Sequence, residues 1–415
     1  MKHDKKRWLF LASCIVINIC IGFGYAWSVF QKPLMLQFQW DATAVSLGFS
    51  IIMGMSAVPQ ALAGKAQDYL APRQIILIGG LIFGLGVTGL GFVHSLGQLY
   101  ASGALVGLGI GVVYPGTVAN MVRFFPERRG LAAGLLAAGM GSGAIVIAPL
   151  ATIMIESVGV LSTLQIFGAV FLVTISGLSR LIQTAPEGYK PVGGEQQSKN
   201  ITLTGTEKNW REMLSDPLFY LIAGIFIFGA SAGIMIMGHA SPIAQKILGI
   251  SPREASVIVG FIAFANTLGR VFWGGLSDKA GRYTVLIAMF IILGLALLML
   301  ARVSSYAAVL ATLMVVGMCY GGFMGMMASV TADAFGTRHL GVNFGIMFLT
   351  LGAASVIGPR LAAVIAQNNN GDYSQAFLFA VAFSVVGVML AAAGWYKNSR
   401  ETCSKTKDKG GALRA

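Results

Sequence analysis

Stretches of roughly 20 mostly apolar residues, the length needed to cross ~30 Å of hydrocarbon, recur along this chain and constrain its fold more than any other feature. They cover approximately 8–30, 43–66, 74–93, 98–122, 129–155, 160–183, 217–240, 253–277, 283–302, 305–330, 340–366 and 374–396. Inside a bilayer such segments become helices, because a helix satisfies its own backbone N–H and C=O groups. The expected fold is an all-α membrane protein with twelve transmembrane helices. Composition agrees: 56% of the 415 residues are hydrophobic and 11% charged, against about 25% charged in soluble domains. The start, MKHDKKRWLFLASCIVINICIGFGYAW, mimics a signal peptide. Its apolar run is too long for one and lacks a small-x-small cleavage site, so it reads as the first retained helix.

The spans divide six and six. Residues 1–183 form the expected N-terminal six-helix bundle and 216–397 the C-terminal one. Between them lies a hydrophilic linker, 184–215, and after them a charged tail, 398–415. The linker's end, Trp210 to Leu214, is expected to form a short surface helix. With the N-terminus inside, 23 of the 29 Lys and Arg fall on the cytoplasmic side. Lys32, Lys246, Arg253 and Arg302 lie outside, and Arg270 and Arg360 fall within spans. That asymmetry is what the positive-inside rule requires, so both termini are expected in the cytoplasm. The net charge of +13 then reflects cationic inner loops and not a nucleic-acid partner. Cys14, Cys20, Cys319 and Cys403 show neither disulfide nor metal spacing.

An internal repeat is visible. GKAQDYLAPRQ (64–74) and GGLSDKAGRYT (274–284) occupy corresponding inner loops, and Gly64/Gly274 and Asp68/Asp278 are each 210 residues apart. FFPERRGLAAGL (124–135) and AFGTRHLGVNFG (334–345) form a further pair. One period across corresponding loops means a duplicated six-helix unit, with the two copies related by an axis along the membrane normal.

These residues resemble a known family. GGLSDKAGR fits the G-x-L-x-D-[RK]-x-G-[RK] loop of the major facilitator superfamily, and GKAQDYLAPR is its decayed copy, with Ala71 in place of the usual Gly. GFGYAWSVF (22–30), FFPERRGLAAG (124–134), MLSDPLFYLI (213–222) and NTLGRVFWGGLSDKAGR (266–282) look like the oxalate/formate antiporter branch, related to monocarboxylate porters. The resemblance covers the whole chain and implies the major facilitator fold. It also implies a conformational latch formed by Gly64, Asp68 and Arg73 with Gly274, Asp278, Lys279, Gly281 and Arg282.

Arg270 is the most informative candidate for substrate binding. An arginine deep in a span cannot shed its proton and is costly to bury unless it meets water or an anion. Its planar fork matches a carboxylate. Asn266, four residues earlier, shares its helix face and offers a further donor to the substrate. Relatives bind substrate carboxylate with an Arg here, and the pattern N-x-x-x-R-x-x-x-G-x-x-S-D carries that role to Arg270. Snorkelling to the inner interface is the competing reading. Arg360, in span eleven, has two open readings: a cavity residue, or a side chain reaching the outer headgroups. The family's oxalate carrier places a Lys in span eleven where this chain has Leu351, which favours a substrate with one carboxylate. Tyr25, Tyr114 and Tyr320 complete the candidate site. For each, an interhelical hydrogen bond competes with cavity lining.

No acidic residue falls mid-span, and Asn266 stands where proton-coupled relatives often carry Asp. An empty carrier must take Arg270 through its occluded state, whereas a bound carboxylate neutralises it, so anion exchange is favoured over proton symport. The expected activity is secondary transport of monocarboxylates such as formate, lactate or pyruvate, with a counter-transported anion or a proton as the coupled species. Dicarboxylate exchange, drug export and a transporter-like sensor are the rivals. A membrane enzyme would need a catalytic constellation within the spans, and none is found. The protein is expected to work as a monomer among lipids in a bacterial inner membrane, with no cofactor or metal.

Overall fold

The computed structural model describes residues 2–66, 69–186, 207–237, 239–369 and 372–411. Among them fifteen α-helices and no strands are found: α1 Lys2–Ile21, α2 Trp27–Phe38, α3 Ala42–Ala66, α4 Pro72–Leu90, α5 Leu96–Phe124, α6 Arg129–Val158, α7 Val160–Ser179, α8 Trp210–Leu214, α9 Pro217–Met237, α10 Ala240–Leu248, α11 Pro252–Ala280, α12 Arg282–Leu300, α13 Tyr306–Phe335, α14 Leu340–Asn368 and α15 Ser374–Gly411. Eleven helical segments are long and apolar enough to cross a bilayer, and the 25-residue α3 contributes a shorter apolar stretch, Leu47–Ser56. Most of the linker, 187–206, lies outside the described residues, but α8 forms over Trp210–Leu214, where the sequence predicts a short helix. An Asn209–Glu212 capping box starts it. The charged tail does not form a separate segment as far as Gly411; it continues α15.

Two elements depart from single straight spans. The first is α1 and α2 joined by a 3₁₀ segment, Gly22–Ala26. There the chain passes so close to α6 that a Cβ on Gly22 would lie 2.8 Å from the Gly143 Cα. The seventh ends at Met237, and its continuation turns into the separate helix α10.

The chain forms two compact units. Unit 1 is Met1–Gly194 with Thr337–Phe348, and unit 2 is Glu195–Gly336 with Leu349–Ala415. The start of α14 thus groups with unit 1, where the sequence-based boundary left it in the second bundle. Three contacts within unit 1 explain this. Gly64 of α3 lies against the Gly341 backbone. Arg123 of α5 donates to the carbonyls of Thr337 (2.9 Å) and Arg338 (2.8 Å). The Tyr114 ring stands 6.1 Å from that of Phe344.

The 210-residue period persists in the geometry of each unit. Helices α4 and α12 begin at Pro72 and Arg282, and α5 and α13 at Leu96 and Tyr306. Ser95 and Ser305 cap the latter pair by accepting the N–H of Gln98 and Ala308. The left-handed residues closing α2 and α10, Gln39 (φ 56°) and Gly249 (φ 65°), keep the same separation.

Close packing repeats as well. In unit 1 a Cβ on Gly107 or Gly111 would strike the Ile52 or Ser56 carbonyl of α3; in unit 2 one on Gly317 or Gly321 would strike that of Ile262 or Asn266 on α11. Membrane helices gain no hydrophobic drive from lipid, so small residues that admit such approach supply the packing energy.

Two outcomes follow. Gly321→Val should destabilise purified protein by about 1–3 kcal/mol through overpacking. Gly260→Ala on α11, where the added Cβ meets nothing within 4 Å, should leave the thermal midpoint unchanged or slightly higher.

At the start of α9, Asp216 accepts from Lys208 and from the Leu218 N–H (2.9 Å), and Lys397 of α15 lies 4.0 Å away. Burial pushes this carboxyl up, but the Lys208 bond and charge, the Leu218 N–H and Lys397 outweigh it and hold it below its ordinary value. A group depressed in the folded state contributes stability above its unfolded pKa and loses it as pH falls through the folded value. The thermal-midpoint advantage of wild type over Asp216→Asn should therefore be present at neutral pH and vanish well below about pH 4.

Candidate functional site

The glycine face of α13 builds the candidate site in unit 2. Gly317, Gly321 and Gly325, spaced four apart, let the α11 backbone at Ile262, Asn266 and Arg270 settle directly on α13. Asn266 and Arg270 are consequently buried, at 5% and 7% exposure. The Arg270 Nε donates to the Asn266 Oδ1 at 3.2 Å, and the Asn266 Nδ2 donates to the Gly317 carbonyl at 3.3 Å. The Asn266 amide thus bridges the Arg270 guanidinium and the α13 backbone. Tyr320 lies on the same stretch of α13, half-buried, with a Cβ placed on Gly233 of α9 falling 2.6 Å from its own Cβ.

The other predicted site residues are distributed differently. Arg360 is exposed on α14, directly after the in-helix Pro359. Tyr25 is 44% exposed on the 3₁₀ segment of unit 1. Tyr114 is buried in α5 of unit 1, its ring also 6.0 Å from Phe348. Among the described residues no cluster of His, Cys, Asp and Glu is arranged to hold a metal ion.

The second copy of the loop motif forms a charge cluster. Arg282 pairs with Asp278 (Nη1 to Oδ1, 2.6 Å) and with Asp333 of α13 (Nε to Oδ2, 2.7 Å), and it also donates to the Ser277 hydroxyl. The Ser277 hydroxyl donates in turn to the carbonyl of buried Gly274 (2.7 Å). Gly281 holds φ +90° between α11 and α12, a conformation costly for other residues. Lys279 is exposed. In the first copy, Gly64 makes the close approach to Gly341, Arg73 is exposed, and Asp68 lies outside the described residues.

Sequence reasoning missed three polar residues. Asp333 and Arg123 stand 210 apart, one completing the Arg282 cluster and the other binding the carbonyls ahead of α14. Gln60 stands 210 before Arg270, 2% exposed, with no hydrogen-bond partner for its Oε1. The period that reveals the loop motifs also connects these pairs.

The Arg282 cluster is testable without substrate. Arg282→Gln removes the shared cation of two largely buried carboxylates and should cost about 3–5 kcal/mol, read as a lower unfolding midpoint in detergent. Lys279→Gln in the same loop should be neutral.

Comparison with known proteins places this geometry in context. A family model described as Major Facilitator Superfamily matches residues 12–239 and 228–414. The chain is 29% identical to the oxalate:formate antiporter of Oxalobacter formigenes, covering 93% of this chain and 90% of that protein. It is 28% identical to the uncharacterized MFS-type transporter YhjX of Escherichia coli (strain K12), covering 85% and 87%. It is 24% identical to monocarboxylate transporter 12 of Rattus norvegicus, covering 91% and 84%. Its fold matches the crystal structure of the transporter FucP with a TM-score of 0.71 over 92% of this chain and 97% of that one, at 12% identity.

Proposed function

We propose, since the chain belongs to the Major Facilitator Superfamily of membrane transporters, that it carries small monocarboxylates by alternating access and exchanges one anion for another. The observation that carries this reading is the buried Arg270, held at its Nε by Asn266. A permanent cation within a span costs at least about 2.5–3.5 kcal/mol. Hydrogen bonds to a charged partner contribute about 1.5–3 kcal/mol each, so a carboxylate received by the guanidinium offsets that cost. The planar guanidinium fork suits one carboxylate. Asn266 acts as a positioning residue.

Similarity to the oxalate:formate antiporter and to monocarboxylate transporter 12 supports an organic-anion substrate. One carboxylate is favoured over two because Leu351 stands where the resembled oxalate carrier has Lys, and Arg360 is exposed. Exchange is favoured because Asn266 replaces the acid on which proton coupling would most directly rely. In this reading the Arg282 cluster with Asp278 and Asp333, and the Gly64 contact with Gly341, latch one state of the transport cycle.

Proteoliposomes loaded with unlabelled lactate and given labelled lactate or formate test the reading. Arg270→Ala should abolish saturable uptake while the protein still inserts. Arg270→Lys, keeping charge but losing the fork, should raise KM at least tenfold. Wild-type uptake by Arg270→Ala would reject the clamp, and uptake that needs an inward proton gradient but no internal anion would replace exchange with symport.

A further inference from the structure

A cavity of about 180 Å³ lies in unit 2 among the end of α10, the turn after α12 and the start of α15. That is far more than the ~10–15 Å³ one water requires. Lys246 and Arg302 line it with Asp372, Tyr373 and Ser374, over apolar side chains that include Ile247 and Phe377. Asp372 is already engaged: its Oδ1 accepts the Ser374 N–H (3.0 Å) and hydroxyl (2.8 Å) at the entry to α15. These bonds, with Lys246 nearby, hold the carboxyl below its ordinary value, so it stays ionised at neutral pH. Two cations thus face one carboxylate, and among the described residues no acid forms an ion pair with Arg302.

The other unit provides an internal control. The left-handed caps Gln39 and Gly249 fix the register of α2 against α10, and Ser95 and Ser305 fix that of the turns before α5 and α13. In this register Lys246 corresponds to Leu36 and Arg302 to Phe92, both exposed apolar residues. The corresponding elements of unit 1 form with apolar residues at these positions. The Lys246 and Arg302 charges also run against the sequence-based orientation, in which they are two of only four external Lys and Arg. Two exposed cations lining one cavity together with apolar side chains suit an oxyanion attached to an apolar body.

We propose that this cavity is a second anion site, built by Lys246 and Arg302 and distinct from Arg270, for the carboxylate or phosphate group of a small amphiphile. The soluble source is a short-chain carboxylate, and the membrane source is an anionic phospholipid headgroup.

The test uses full-length protein carrying Arg270→Gln, so that loss of the proposed transport clamp and loss of this site are read separately. L-lactate is titrated in detergent by equilibrium binding, and retention of palmitoyl-oleoyl phosphatidylglycerol over the matching phosphatidylcholine is measured by native mass spectrometry. At least one probe should bind saturably, weaken at least tenfold in Lys246→Gln/Arg302→Gln, and recover in Lys246→Arg/Arg302→Lys. Lactate binding identifies the soluble source, and selective phosphatidylglycerol retention the headgroup. Absence of binding by both probes, or binding by either that is unchanged in the Gln pair, overturns the site.

Discussion

The contact between the α11 backbone and the glycine face of α13 is the constraint on which the candidate site depends. Gly317, Gly321 and Gly325 bring the two helices together, and that approach buries Asn266 and Arg270. It also sets the Gly317 carbonyl within reach of the Asn266 amide, leaving the Asn266 oxygen for Arg270. A side chain on any of these glycines would push α11 away and loosen the aim of the guanidinium. Packing and electrostatics are therefore one problem here: the helix contact that membrane proteins use for stability also orients the charge.

The charge clusters share a logic. Arg282 is held between Asp278 and Asp333, and Arg7 between Glu127 (2.6 Å) and the Phe125 ring, 4.8 Å away. Each ties a loop motif to a neighbouring helix within its own unit. Such partly buried pairs add little net stability over an apolar substitute but are costly to break.

Much of this was legible in the sequence. Span positions, the short helix at Trp210 and the 210-residue repeat all follow from hydropathy and motif spacing, because the bilayer allows a long apolar segment few alternatives. Arg270 stood out for the same reason: a charge in a span is rare enough to notice. Tyr25 and Asn266 were harder. Hydropathy does not give the exposure of Tyr25, which lies on the 3₁₀ break at Gly22–Ala26 and is exposed. Asn266 shares a face with Arg270 in any helical reading, but only the approach of the Gly317 carbonyl decides where its amide points. The grouping of Thr337–Phe348 with unit 1 was hidden too, since it depends on Gly64 and Gly341 meeting across a long sequence separation.

The repeat makes each unit a reference for the other. What both copies keep is structural: helix starts, serine caps, left-handed closures, and glycines pressed on a neighbouring carbonyl. What they do not keep is chemical. Gln60 faces Arg270 across the period, Arg123 faces Asp333, and Leu36 and Phe92 face Lys246 and Arg302. A charge present in one copy and missing from the other is not part of the architecture the two copies share, and a charge buried in a span is costly unless something it binds or holds offsets it. For Arg282 the partners are visible in Asp278 and Asp333. For Arg270 the visible partner is the Asn266 amide oxygen on its own helix.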